Sequence, residues 1–371
     1  SERPKLAIDG LGQQTALYVR YMDDTRYLIY ATRTAENTWE ETLVESVFYG
    51  QGYIEGQYAL AYDTLGNPCI TYVKTTYSPY NCSLYYAVYN GTTWHKQRVY
   101  SGNDTFYSDL DFNGSTPAIA FSAGKQGLKY AYLSGGKWLI QTVDDATETR
   151  LRNRQGELTL RHANGKPLIS YCDISARVLK FAYTVNDVWY SKIVESSTSS
   201  KNYTGDHVTM QLKQNASQYV VYLIHSNFTV NGNTSIKLKT LTVNSDSDLQ
   251  NPAFTSQTLY SAAFGNIPPM MTSSIKNGNP SVIFLNYWPS ETFMISKQPK
   301  LSTVSKIEFE ALAVGNTSSQ SISLVNNGAL DLNISEITMP SSPFQVTELS
   351  LGSLAPGESK VITVHYEPTM S

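Results

Sequence analysis

The five histidines, His95, His162, His207, His225 and His365, are the side chains best suited to move protons or hold a metal near neutral pH. None forms an HxxxH or HExxH pair, the spacing that places two rings on one metal. Three cysteines, Cys69, Cys82 and Cys172, contain no CxxC, and an odd number is no disulfide framework. Cys69 falls at the start of an expected strand and Cys82 after a hairpin loop, so the two are not expected to face each other. Asp23-Asp24 and Asp109 with Asp111 could contribute oxygens to calcium, yet a lone acidic pair beside a β-turn is usually structural. No phosphate loop, GxSxG elbow or EF-hand loop occurs. The expectation is a protein with no catalytic residues, no metal and no cofactor. Sites assembled from separate repeats leave no mark in sequence spacing.

The elements that would position any such site are β-strands. The chain has 371 residues, room for two domains, and 27 of them are Tyr. Tyr, Val, Ile and Thr favour pleated, half-buried surfaces, and long runs of helix formers are absent. The net charge is -3, which points away from nucleic acid and anionic membrane as partners. Arg150, Arg152, Arg154 and Arg161 form the densest basic stretch and read as a solvated loop. No apolar run approaches the roughly 18–20 residues of a membrane span, so membrane insertion is not expected. The Ser-Glu-Arg-Pro start reads as a processed product whose leader was removed.

A repeat of about 50 residues organises the first 300. One copy reads Pro68-Cys69-Ile70-Thr71-Tyr72, then Leu84-Tyr85-Tyr86-Ala87, then Trp94 and Val99. The next reads Pro117-Ala118-Ile119-Ala120-Phe121, Leu128-Lys129-Tyr130-Ala131, Trp138 and Val143. A third reads Pro167-Leu168-Ile169-Ser170-Tyr171, Leu179-Lys180-Phe181-Ala182, Trp189 and Val194. The first copy keeps Ala16-Leu17-Tyr18, Leu28-Ile29-Tyr30-Ala31, Trp39 and Val44, and its Leu6-Ala7-Ile8-Asp9 aligns with Leu60-Ala61-Tyr62-Asp63. Weaker copies begin at Tyr219 and at Asn279-Pro280. Each carries four short β-forming segments separated by Asn, Gly, Asp and Ser. Four strands per copy, arranged radially, is how propellers limit unpaired edges. The recurring Trp is expected to anchor one blade on the next, and the recurring Ala to allow close sheet packing. The repeat resembles those of bacterial and archaeal cell-surface propellers. Gly91-Thr92-Thr93-Trp94 resembles the end of the sialidase Asp-box, but Ala87 and Tyr89 stand where that motif needs Ser and Asp, so sialidase activity is not implied.

From about Leu301 the pattern changes. Ile307-Glu308-Phe309, Val314-Gly315-Asn316, Ile322-Ser323-Leu324-Val325-Asn326-Asn327-Gly328, Pro343-Phe344, Ala355-Pro356-Gly357-Glu358 and Val361-Ile362-Thr363-Val364 follow in order. This segment resembles the immunoglobulin-like ASH/Hydin family, also seen as choice-of-anchor D modules. The resemblance implies an antiparallel sandwich used for binding or architecture. Family members usually continue beyond a phrase such as Tyr366-Glu367-Pro368-Thr369, so a missing last strand is expected. That would leave an edge open to strand addition from another copy. The expected architecture is all-β: a six-bladed β-propeller over residues 1–300 and an immunoglobulin-like β-sandwich over residues 301–371.

Asn-x-Ser/Thr occurs at Asn81, Asn90, Asn103, Asn113, Asn202, Asn215, Asn227, Asn233, Asn316 and Asn333. Chance would supply about five such motifs. All but Asn333 fall in or near expected turns, where a glycan is tolerated. The expected protein is therefore a non-enzymatic, extracellular or cell-surface glycoprotein. Its expected partners are copies of itself in a filament or surface assembly and its own attached glycans. A carbohydrate-binding lectin stacking sugar on Trp94 or Trp138 is the first alternative. A glycosidase-like enzyme with two carboxylates about 5–9.5 Å apart is the second.

Overall fold

The computed structural model describes residues 2–36, 38–103, 107–145, 158–197, 202–215, 218–229, 234–262, 270–276, 279–287, 290–296, 301–304, 306–326, 331–338, 340–347, 350–355 and 358–369. Arg150, Arg152 and Arg154 lie outside the described residues. The chain is all-β, a six-bladed propeller with an immunoglobulin-like module.

Each repeat folds into its own antiparallel meander. The first blade is β1 (Glu2–Ile8), β2 (Gln14–Met22), β3 (Thr25–Ala35) and β4 (Thr38–Phe48). The second is β5 (Gly52–Tyr62), β6 (Pro68–Tyr77), β7 (Tyr80–Tyr89) and β8 (Trp94–Gly102). The third is β9 (Ser108–Asn113), β10 (Thr116–Ser122), β11 (Leu128–Ser134) and β12 (Lys137–Asp144). The fourth is β13 (Leu158–Ala163), β14 (Lys166–Asp173), β15 (Val178–Val185) and β16 (Val188–Ser196). The fifth is β17 (Asn202–Asn215), β18 (Gln218–Thr229), β19 (Thr234–Val243) and β20 (Thr255–Ala262). In the sixth, β21 (Met270–Lys276), β22 (Asn279–Tyr287) and β23 (Ser290–Ser296) are described. First strands pack on first strands, β1 on β5, β5 on β9, β9 on β13 and β13 on β17, which identifies them as the inner strands.

The apolar cores lie between blades. Leu28, Tyr30, Ile54, Ile70 and Tyr72 fill the joint between blades 1 and 2. Leu84, Val99, Leu110 and Phe121 fill the next, and Tyr130, Leu160, Ile169 and Tyr171 the third. Burying a side chain of this size contributes about 1.5–3 kcal/mol, so the joints hold the ring. The recurring alanines Ala31, Ala87, Ala131 and Ala182 are all buried, where a larger side chain would hold the sheets apart.

The aligned segments at Asp9 and Asp63 form the same turn. Asp9 Oδ1 accepts the amides of Leu11 and Gln13 at 2.9 and 2.8 Å, and Asp63 Oδ1 those of Leu65 and Asn67 at 2.9 and 2.8 Å. Gly12 and Gly66 close these loops at φ 82° and 84°, a conformation that side chains penalise. Blade 1 differs on its first strand. Leu60, Leu110 and Leu160 are covered by the preceding blade, whereas their counterpart Leu6 is 74% exposed.

The C-terminal module pairs β24 (Leu301–Ser302), β25 (Ser318–Asn326), β29 (Ser359–Tyr366) and β27 (Phe344–Val346) in one sheet, and β26 (Leu332–Ile334) with β28 (Gly352–Leu354) in another. Leu324, Val346, Ile362 and Val364 form its core. The buried Asn326 links the strands, donating from Nδ2 to Leu354 O at 2.9 Å. β29 is paired on both sides, to β25 and β27, and its alternating Ile362 and Val364 belong to the core. Backbone packing groups Ser1–Ile275 with Val282–Met294, and Lys276–Ser281 with Ile295–Ser371.

Candidate functional site

A β-bulge recurs between the third and fourth strands of all five four-stranded blades. Val44, Val99, Val143, Val194 and Leu259 are the extra residues, skipped in the pairings Leu28↔Glu45, Leu84↔Tyr100, Leu128↔Asp144, Leu179↔Glu195 and Ile236↔Tyr260. A bulge re-aims the side chain that follows it. Glu45, Tyr100, Asp144 and Glu195 are thereby turned toward the next blade.

What each meets there is matched in kind. Glu45 accepts from Tyr72 Oη at 3.0 Å and lies 3.2 Å from Lys96 and 3.6 Å from Lys74. Asp144 accepts from Tyr171 Oη at 2.6 Å and Lys180 Nζ at 3.0 Å. Where the residue is Tyr100, the next blade offers Phe121, with ring centroids 5.1 Å apart. Burial works to raise the Glu45 carboxyl, but Lys74, Lys96 and Tyr72 outweigh it and hold it below the usual range. Burial likewise works against the Lys180 charge, and Asp173 and Asp144 outweigh it. Lys180 bridges Asp173 at 2.8 Å and Asp144 at 3.0 Å, and both carboxylates are buried. Lys180 thus offsets one of these two negative charges within a joint.

Glu195 meets the largest set of donors. Asn227 Nδ2 and Lys237 Nζ each donate to its Oε1 at 2.6 Å, and Lys239 pairs with its Oε2. Burial pushes the carboxyl up, while Lys237, Lys239 and Asn227 hold it far below its ordinary value. His225 is fully buried, with Nε2 3.6 Å from Glu195 Oε2, too far for a hydrogen bond. Burial holds its pKa below the ordinary imidazole value.

The tryptophans are inter-blade anchors. Trp94 stands edge-on to Tyr30 at 5.6 Å, Trp138 to Tyr86 at 5.3 Å and Trp189 to Tyr130 at 5.3 Å. Trp138 Nε1 donates to Gln97 at 3.1 Å and Trp189 Nε1 to Gln141 at 2.8 Å. In blade 5 Phe254 takes the place of Trp, edge-on to Phe181 at 5.4 Å. Trp94 and Trp138, the rings on which sugar stacking is expected, each pack edge-on against the preceding blade. The acidic pairs are also accounted for. Asp109 Oδ2 accepts from Leu160 N at 2.8 Å and Arg161 at 3.0 Å. Asp111 Oδ2 accepts from His162 N at 2.7 Å and Nδ1 at 2.8 Å. Asp23 and Asp24 form a turn at φ 49° and 56°. Among the described residues no cluster of His, Cys, Asp and Glu fits a metal, and the three cysteines are buried and form no disulfide with one another.

One surface carries exposed aromatic area. In each blade the turn between second and third strands lies on the same side of the ring as the link to the next blade. Between blades 1 and 2 these loops bring together Tyr21, Met22, Phe48, Tyr49, Tyr77 and Tyr80, all 40–58% exposed. Tyr77 lies edge-on to Tyr49 at 6.3 Å and tilts against Tyr53 at 5.7 Å. The loops are tied by backbone: Tyr49 N donates to Asp24 O at 2.7 Å and Tyr77 N to Gln51 O at 3.1 Å. Tyr21 Oη donates to Asp24 Oδ1 at 2.9 Å, and the Arg26 guanidinium lies 5.5 Å from the Tyr53 ring centre. The result is a fixed ledge of rings edged by a carboxylate, a guanidinium and phenolic hydroxyls. Sequence reading missed it because its residues come from three separate loops.

The sequons divide by structure. Asn90, Asn103, Asn113 and Asn316 are exposed in turns or links, and Asn333 is exposed on β26. Turn placement is corrected for Asn81 on β7 and Asn227 on β18. Asn81 Nδ2 donates to Ser83 Oγ at 2.8 Å, and Asn227 Nδ2 is bound to Glu195. Asn202 and Asn215 end β17, and their side chains lie outside the described residues, as does Asn233 altogether.

Residues 299–371 match the family described as HYDIN/CFA65/VesB-like, Ig-like domain. No curated protein matches the sequence. Among solved structures, the Aleuria aurantia lectin in complex with Fucα1-6GlcNAc is similar at TM-score 0.48 and 13% identity, over 80% of this chain and 91% of that one. An α-L-arabinanase of Penicillium chrysogenum is similar at TM-score 0.40 and 14% identity, over 88% of each chain. An α-L-arabinofuranosidase from Fusarium graminearum is similar at TM-score 0.39 and 12% identity, over 74% of this chain and 87% of that one. The expectation of a non-enzyme is corrected by these neighbours. Propellers of this architecture include glycan-processing enzymes as well as lectins, so the fold leaves the enzyme question open.

Proposed function

We propose that this chain is an extracellular carbohydrate-recognition protein that binds sugar on the Tyr49–Tyr77 ledge. The exposed rings of Tyr21, Tyr49, Tyr77 and Tyr80, held by backbone hydrogen bonds, carry the reading. A sugar ring presents one apolar C–H face and a rim of hydroxyls. Tyr matches both, with a flat ring to cover the face and a hydroxyl at its edge, and it loses little conformational entropy on binding. Asp24 supplies acceptors and Arg26 donors at the border. A contiguous apolar patch of this kind on a secreted module marks an interaction site. Nothing in the described strands of the C-terminal module favours the filament reading over this one.

A glycan array probed with the full chain tests the proposal. Tyr49→Ala and Tyr77→Ala should each weaken binding by about tenfold or more. Trp138→Phe, which alters a joint, should leave binding intact. Retained binding in both Tyr variants, or no binding to any glycan, would refute it.

A further inference from the structure

The ledge ends beside a sequon. β8 runs into Asn103, which is exposed and begins Asn103-Asp104-Thr105. The Cys82 thiol joins the two features, reaching Asn103 O at 3.7 Å and Tyr80 Oη at 3.6 Å. Tyr80 is paired across the β6–β7 hairpin with Tyr77, at the centre of the ledge. Asn103 therefore roots any attached chain within one side chain of the aromatic surface. The other sequon at this end of blade 2, Asn81, is engaged internally, donating to Ser83 Oγ at 2.8 Å and accepting from Ser101 Oγ at 2.9 Å. Asn113, in the turn between β9 and β10, lies on the opposite side of the ring and cannot reach the ledge.

We propose that Asn103 carries an N-linked glycan whose first sugars lie over Tyr80 and Tyr77 and restrict access to the ledge. The inference rests on reading the ledge as a sugar-binding surface. Attachment joins Asn103 Nδ2 to the anomeric carbon of an oligosaccharide delivered by a lipid diphosphate donor. The C–O bond to the diphosphate breaks, the lipid diphosphate departs, and the amide nitrogen loses one proton to solvent. A sugar held at the ledge about nine-tenths of the time is exposed to an enzyme for the remaining tenth.

The experiment uses the full chain secreted from a glycosylating eukaryotic host. Peptide mapping should find sugar on Asn103. Under native conditions an endoglycosidase should release it about tenfold more slowly than the sugar on Asn113. Tyr80→Ala with Tyr77→Ala should remove that difference. Asn103→Gln should strengthen glycan-array binding over the wild type. An unmodified Asn103, or release at the Asn113 rate, overturns the proposal even if the array shows binding. An array that stays blank for Asn103→Gln while Asn103 sugar is protected overturns the external-ligand reading and leaves this one standing.

Discussion

Tyr171 of the fourth blade donates a 2.6 Å hydrogen bond to Asp144 at the end of the third, across a joint from which water is largely excluded. The same position pairs Tyr72 with Glu45, and Phe121 with Tyr100. A carboxylate on one blade is thus met by a phenol on the next, and a phenol by a plain ring. Removing the hydroxyl alone, in Tyr171→Phe, should destabilise the propeller by about 1.5–3 kcal/mol, the range for a hydrogen bond to a charged group. Adding Asp144→Tyr rebuilds the pair used between blades 2 and 3, leaving Lys180 with Asp173. Urea unfolding of the single and double variants should show a favourable coupling of about 1 kcal/mol or more. Simple additivity would mean the matching is incidental.

The tryptophans should not be equal. Trp138 packs on Tyr86 and donates to Gln97, whereas Trp39, in the same register of blade 1, is 40% exposed. Trp138→Ala should cost about 2–4 kcal/mol, near the low end for a large aromatic because the ring is only half-buried. Trp39→Ala should cost about 1 kcal/mol or less. Trp138→Phe should cost about 1 kcal/mol, chiefly the Nε1 hydrogen bond, since Phe254 already fills this role in blade 5. Thermal unfolding of the three variants gives the ranking.

The repeat was legible because its signals are local. Alternating β-formers, the Ala after an aromatic and the Trp after a turn all fall within one copy, and the joints need only that pattern to close. The clamps were half legible. The residues after the recurring Val, namely Glu45, Tyr100, Asp144 and Glu195, stand in plain view in the sequence. Their partners Tyr72, Phe121 and Tyr171 occupy one register position of the following copy. Only the bulge, whose recurring Val reads in the sequence as one more β-former, shows that they meet. The ledge was not legible at all, since Tyr49 and Tyr77 are brought together by the sense of the strands. Asn227 misled for the related reason that a sequon records spacing, while strand pairing turned its amide onto Glu195.

Acid should loosen the joint between blades 4 and 5. His225 is buried and neutral, with its folded pKa below the ordinary 6.5. As pH falls below about 6.5 the unfolded chain takes up a proton that the folded chain refuses, so stability declines until the folded value is passed. Glu195 adds to this at lower pH, because its folded pKa is also depressed and its contribution fades as pH drops below its ordinary value of 4.5. One such group gives a slope of at most about 1.4 kcal/mol per pH unit. Unfolding free energies measured from pH 7.5 to 5 should be flat at first and then fall. His225→Gln should flatten the upper part of that fall. An unchanged slope would show that His225 is not the group titrating.

Glycan occupancy should follow the hydrogen bonding of each asparagine amide. Asn113 donates only one 3.0 Å hydrogen bond from an exposed turn, to Gly165 O, which a sugar can replace with little loss. Asn227 Nδ2 is one of the groups holding a buried carboxylate, and its Oδ1 is itself buried without a partner. A sugar there would leave Glu195 short of a donor and force a polar bulk into the joint, at a cost of several kcal/mol. Peptide mapping of the secreted chain should therefore find sugar at Asn113 and Asn316 and none at Asn227. Asn227→Asp should be poorly tolerated, since a second carboxylate would face Glu195, whereas Asn113→Asp should be neutral within about 0.5 kcal/mol. Sugar on Asn227 of folded protein would show that this joint opens far enough to release Glu195 from its donors.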